Sequence, residues 1–69
     1  MSTLEDRLLA AHDAGDKPLL VALYQEAAVA AETIDQRAFF LTHAFVFALE
    51  IGHQDAPALR AHLIKMGRF

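Results

Sequence analysis

Apolar residues recur every three or four positions in four separate stretches of the chain. Leu4, Leu8 and Ala11 show this spacing in the first stretch, and Leu59 and Leu63 show it in the last. Such spacing places apolar side chains on one side of an α-helix. The pattern therefore predicts four helices, at about residues 3–14, 17–32, 34–51 and 56–66.

The predicted boundaries rest on residues that typically begin or end helices. Residues 2–5 (Ser-Thr-Leu-Glu) and 33–36 (Thr-Ile-Asp-Gln) each fit a capping box, in which a hydroxyl residue precedes Glu or Gln by three positions. Asp16 and Asp55 are expected to cap the second and fourth helices, each with Pro in the first turn. The first, third and fourth helices are expected to end at Gly15, Gly52 and Gly67. The short connections predict one all-α domain over residues 1–69, built from two antiparallel helix hairpins.

Composition narrows the class of protein. The chain is 55% apolar and has no Cys, which excludes disulfides as a source of stability. Its net charge is −3, whereas a nucleic-acid-binding protein usually carries a basic surplus, so we expect no nucleic-acid partner. The longest apolar stretch, residues 38–49, is shorter than the roughly 20 residues of a membrane span. Residues 1–6 are acidic and resemble no secretory signal. We therefore expect a cytoplasmic protein without a membrane partner.

The charge is unevenly distributed along the chain. Residues 1–55 hold nine acidic and three basic residues, a net charge of −6, and residues 56–69 hold three basic residues and no acidic one, a net charge of +3. Cations are favoured near the C-terminus of a helix, so the basic segment is first interpreted as a helix end.

The two halves of the chain resemble each other around their turns. Residues 15–18 (Gly-Asp-Lys-Pro) match residues 52–57 (Gly-His-Gln-Asp-Ala-Pro), with two extra residues in the second copy. Internal similarity of this length is typical of arrays of helix hairpins.

The residues around these turns resemble the tetratricopeptide repeat. Gly15 and Asp16 are followed by Tyr24 and Ala27 at the spacing of its turn and second helix, and its first-helix aromatic and small positions are matched by Phe40, Ala44 and Phe47. Two positions depart from the repeat, because Leu residues replace small ones at Leu8 and Leu20. The resemblance implies stacked helix hairpins that bind another protein or self-associate.

The third predicted helix is apolar on most of its surface. Its one polar strip contains Gln36, His43 and Glu50, and we expect this strip to face water. Two interpretations follow: either all four Phe residues of the helix lie in the core of the monomer, or one Phe face contacts another chain. We favour the second because two hairpins leave an open side. The predicted interface, with Phe40, Ala44 and Phe47 as its anchors, comprises Phe39, Phe40, Ala44, Phe47 and Ile51.

Polar residues offer few candidates for chemistry. Glu50 and His53 form a Glu-x-x-His pair, which binds metal in some helical bundles, although such a site needs a second pair from another copy. His12 and His62 are interpreted as structural, and Tyr24 as an aromatic residue whose hydroxyl faces water. We predict no enzymatic activity and no cofactor. The expected function is a protein–protein interaction module that self-associates or binds an apolar helical segment; the alternative is a metal- or small-ligand-binding homodimer.

Overall fold

A computed structural model describes residues 3–69, which fold into four α-helices. These are α1 (Leu4–Ala14), α2 (Lys17–Ala30), α3 (Ile34–Ile51) and α4 (Ala56–Lys65). No strand occurs within residues 3–69, so the predicted all-α fold is confirmed. The largest difference from the predicted ranges is at the end of α2, which stops two residues early because Ala31 adopts an extended backbone conformation.

Hydroxyl residues cap α1 and α3. The Thr3 hydroxyl accepts a hydrogen bond from the Asp6 N–H at 3.1 Å, and the Asp6 carboxylate accepts one from the Thr3 N–H at 3.4 Å. This capping box begins one residue after the predicted one, and Ser2 lies outside the described residues. At α3 the predicted cap is confirmed, because the Thr33 hydroxyl accepts from the Gln36 N–H at 3.1 Å.

The two aspartates predicted as caps behave differently. Asp16 caps α2 by accepting a hydrogen bond from the Leu19 N–H at 3.2 Å, as predicted. Asp55 is the N-cap residue of α4, as predicted, but it makes no side-chain hydrogen bond to the first turn of that helix. Its carboxylate instead accepts from Gln25 Nε2 at 3.1 Å, and its N–H donates to His53 Nδ1 at 3.0 Å. Asp55 therefore joins the start of α4 to α2.

Glycines end α1 and α3 as predicted. Gly15 and Gly52 have φ angles of +65° and +62°, a left-handed conformation that side chains with a Cβ atom rarely adopt. The resulting turns are short, so each helix reverses the direction of the one before it. Gly67, at φ +73°, follows two residues after the last residue of α4.

The described helices form a broad, thin array. Each packs against its neighbours in the chain, as α1 with α2, α2 with α3 and α3 with α4, and the α2–α3 contact is the most extensive. The Cα atoms span 34 × 29 × 13 Å. Within residues 3–69, α1 and α4 are therefore the two edges of the array, and α3 is a central helix.

Small side chains form the seam between α2 and α3. Ala28 of α2 and Ala44 and Ala48 of α3 are buried, which allows the two helix backbones to approach closely. The main core cluster adds larger apolar side chains from α2, α3 and α4, namely Val21, Leu41, Leu59 and Leu63. A second cluster joins α1 to α2 through Ala11, Leu20 and Leu23. Every buried side chain among the described residues is apolar.

Candidate interaction surface

The most distinctive exposed feature is an apolar strip along α3, which we call the α3 strip. It consists of Phe39, Thr42, Val46 and Leu49, all on the side of the helix opposite the buried Ala44. Phe39 and Leu49 are each 58% exposed and Val46 is 47% exposed. The spacing of three, four and three residues is that of the contacting positions in paired helices. The monomer thus leaves a complete helix-packing strip uncovered.

The predicted interface residues differ in burial and do not lie on one exposed surface. Ala44 has no exposed surface and cannot contact another chain, so its prediction as an anchor is wrong. Phe40 and Phe47 are half-buried and pack against the core. Phe39 lies in the α3 strip, and Ile51 is exposed at the end of the helix, away from the strip. The open face of α3 is therefore rotated away from the predicted anchors Phe40, Ala44 and Phe47.

Aromatic side chains fill the space between the C-terminal halves of α1 and α3. Tyr24 of α2 lies at the centre, and its hydroxyl is 2.8 Å from His12 Nε2 of α1. The hydroxyl was expected to face water; its contact with His12 is at an exposed position, and this side-chain partner was not predicted. The Tyr24 ring stacks on His43 at 5.1 Å and on Phe47 at 5.9 Å between ring centroids. This cluster joins α1, α2 and α3 on one side of the array.

His43 also departs from its predicted place on a solvated polar strip. It is half-buried, and its ring lies 4.4 Å from that of Phe39. Its Nδ1 is 2.9 Å from the carbonyl oxygen of Phe39, which can only accept, so Nδ1 carries the proton and donates. His43 therefore supports the ring of Phe39 from the side and forms one border of the α3 strip.

The candidate metal ligands have other partners. Glu50 Oε2 lies 2.9 Å from Lys17 Nζ, an ion pair that joins the start of α2 to the end of α3. His53 Nδ1 accepts the hydrogen bond from Asp55 described above. Residues 3–69 bring together no group of three or more His, Cys, Asp or Glu side chains that could hold a metal ion. The structure thus adds no further ligand to the Glu50–His53 pair.

Sequence reasoning missed a hollow between the N-terminal halves of α1 and α3. It has a volume of about 540 Å³ and a floor of small side chains from α2. Its lining is mostly apolar, with three polar residues among nine: Leu4, Glu5, Leu8, Ala27, Ala30, Ala31, Glu32, Gln36 and Phe40. The run of alanines at the end of α2 is the sequence signal that could have indicated it.

The basic segment makes contacts within the monomer. Arg68 forms an ion pair with Asp35 at the start of α3. The guanidinium of Arg60 lies 5.1 Å from the centroid of the Phe69 ring, which in turn packs edge-on against Phe45. These contacts hold the residues after α4 against α3. Lys65 and Ile64 remain exposed on α4.

Comparisons with other proteins give no relative from which a function could be transferred. None of the helices in the described part of the chain is long and apolar enough to cross a membrane. Protein-family models, curated proteins and solved structures yield no match to this chain.

Proposed function

We propose that the protein is a non-enzymatic interaction module that self-associates through the α3 strip. The observation that carries this proposal is the unpaired, helix-packing spacing of Phe39, Thr42, Val46 and Leu49 on a central helix. Exposed apolar strips with polar borders are typical of protein–protein contact sites. The wholly apolar set of buried side chains in residues 3–69 also supports an interaction role over catalysis, which depends on polar groups in a water-poor site.

The strip favours a twofold contact in which two α3 helices run antiparallel. In that arrangement Phe39 packs beside Leu49 of the second copy, and Thr42 packs beside Val46 of the second copy. Asp35 lies four residues before Phe39 and continues the strip towards the start of α3. A parallel pair would place the two Asp35–Arg68 ion pairs side by side, whereas the antiparallel pair keeps them at opposite ends of the contact. Twofold contacts of this kind are the commonest among homo-oligomers.

The size of the array is sufficient for such a contact. Its broad face measures 34 by 29 Å, which is about 1,000 Å². Stable interfaces bury about 800 Å² on each partner. A contact centred on α3 can therefore reach this area only if it extends over the flanking helices. The central position of α3 in the array allows this extension. Covering Phe39, Val46 and Leu49 supplies the apolar centre of the contact.

Sedimentation equilibrium over a wide range of protein concentration tests the proposal. We expect the wild-type chain to form dimers or larger species, and Val46→Glu to weaken that association by at least about 100-fold, because it would bury two unpaired carboxylates. Val29→Glu is the matched control, since Val29 is even more exposed but lies on α2, outside the strip. A wild-type chain that stays monomeric, or equal effects of the two substitutions, would contradict the proposal.

A further inference from the structure

The acidic and basic segments of the sequence lie at different places in the fold. The acidic α1 and the basic α4 form opposite edges of the described array, because the backbone of α1 lies next to α2 alone and that of α4 next to α3 alone, although some side chains reach further. Each edge has an outward face that the monomer does not cover. The two faces therefore differ in charge while belonging to the same molecule.

The outward face of α1 combines acidic side chains with one large apolar side chain. Asp6, Leu9 and Asp13 are exposed on the side opposite the buried Ala11, and Leu9 is 61% exposed. Ala10 beside Leu9 leaves room for a neighbouring helix to approach. We call this face the acidic edge.

The outward face of α4 has the opposite charge and a similar layout. Arg60, Ile64 and Lys65 are exposed, and Ile64 is 49% exposed. Arg60 and Ile64 lie one turn apart beside the buried Leu63, and Lys65 lies further round the helix, away from Leu63. Within residues 3–69, Lys65, Arg60 and Asp13 take part in no ion pair, and the guanidinium of Arg60 contacts the Phe69 ring. We call this face the basic edge.

We propose that the acidic edge of one copy binds the basic edge of the next, so that copies join head to tail. An antiparallel pairing of α1 with α4 continues the alternating helix directions of the array. With Leu9 level with Ile64, Asp13 lies level with Arg60, because each is four residues further towards the same end. Asp6 then lies within two residues, about 3 Å along the axis, of Lys65. Both charged pairs are complementary in this register, with the apolar pair between them.

The contact uses different surfaces on its two partners, so it does not close on itself as a twofold contact does. Heterologous contacts of this type produce rings or open chains. The acidic and basic edges consist of residues of α1 and α4, whereas the α3 strip consists of residues of α3. The head-to-tail contact is therefore separate from the proposed α3 dimer and can be tested without it.

Mixed disulfide formation tests this pairing directly, because the chain has no Cys of its own. Leu9→Cys and Ile64→Cys are each introduced into the Val46→Glu chain, in which the α3 contact is removed, and the two proteins are mixed under mild oxidation. We expect the 9–64 heterodimer to exceed both homodimers several-fold. Mixing Val29→Cys with Ile64→Cys provides the control for random collision. A 9–64 yield equal to this control, or a predominance of 9–9 dimers, would overturn the proposal.

Charge exchange then tests the register. Asp13→Lys in the Leu9→Cys partner, or Arg60→Glu in the Ile64→Cys partner, is expected to lower the rate of 9–64 disulfide formation about threefold, because each places like charges opposite one another. Combining the two substitutions restores opposite charges and should restore the rate. High salt should also lower the rate of 9–64 disulfide formation in the pair without charge exchange. Equal losses in the single and combined exchanges would overturn the proposed register.

Discussion

Replacing Phe47 by Ala tests whether this side chain belongs to the core of the monomer or to an interface with another chain. The centroid of the Phe47 ring lies 5.8 Å from that of His12 of α1 and 5.9 Å from that of Tyr24 of α2. The ring also packs against both core clusters. Replacing a fully buried Phe by Ala costs about 3–5 kcal/mol. Because Phe47 is only half-buried, we expect Phe47→Ala to lower the free energy of unfolding by about 2–3 kcal/mol. The total free energy of unfolding expected for a chain of 69 residues is about 3–10 kcal/mol.

Urea unfolding followed by circular dichroism measures this loss, at protein concentrations low enough to keep the chain monomeric. The melting temperature should fall by about 10–20 °C. Phe39→Ala is the matched control: its ring is mostly exposed, so we expect a loss of less than about 1 kcal/mol in the monomer. A loss for Phe39→Ala as large as that for Phe47→Ala would refute the assignment of Phe47 to the core and of Phe39 to the open face.

Three further substitutions test the local structure. Gly52→Ala should lower the free energy of unfolding by about 1 kcal/mol in urea titration, because the position has φ +62° although no atom would touch the new Cβ; no loss would argue against a left-handed helix end. Thr33→Ala should cost about 1 kcal/mol through the lost hydrogen bond from the Gln36 N–H, and unchanged amide exchange at Gln36 would count against this cap. Tyr24→Phe should cost about 1 kcal/mol and shift the NMR signals of the His12 ring, whereas an unchanged His12 spectrum would contradict their contact.

The helix boundaries could be predicted from the sequence because they depend on nearby residues. Thr33 and Asp16 cap their helices through hydrogen bonds that span three residues, and Gly15 and Gly52 satisfy a local backbone requirement. The partner of the Asp55 side chain was not predicted, because its carboxylate binds Gln25, thirty positions away in the chain. A distant partner of this kind leaves no mark in the local pattern.

The open face of α3 could be predicted only in part. An almost wholly apolar helix does not reveal which of its faces its neighbours cover. The phenylalanines at 40 and 47 were expected to be anchors, but α2 packs against that side through Ala44 and Ala48. The strip of Phe39, Val46 and Leu49 remains open because no described helix covers it. The apolar surplus of α3 indicated that one of its faces is uncovered. Which face this is depends on the positions of α2 and α4.

The aromatic cluster shows a similar limit for polar residues. His43 was assigned to a solvated strip because it lies about two helical turns from Gln36 and two from Glu50 on α3. In the structure its ring stacks on Tyr24, which belongs to α2. The hydroxyl of the same tyrosine is held by His12 from α1. Three helices thus place these side chains together, and spacing within one helix could not predict the contact.

Cross-linking through Thr42 tests the central claim, that the α3 strip is the self-association surface. Thr42→Cys places a single thiol in the middle of the strip, and an antiparallel pair of α3 helices would bring the two thiols within about 10 Å of each other. We predict efficient dimer formation with a short bis-maleimide, and its loss when Val46→Glu is added. Val29→Cys, on α2 outside the strip, should not cross-link. Equal cross-linking of Thr42→Cys and Val29→Cys, or cross-linking that survives Val46→Glu, would contradict the account.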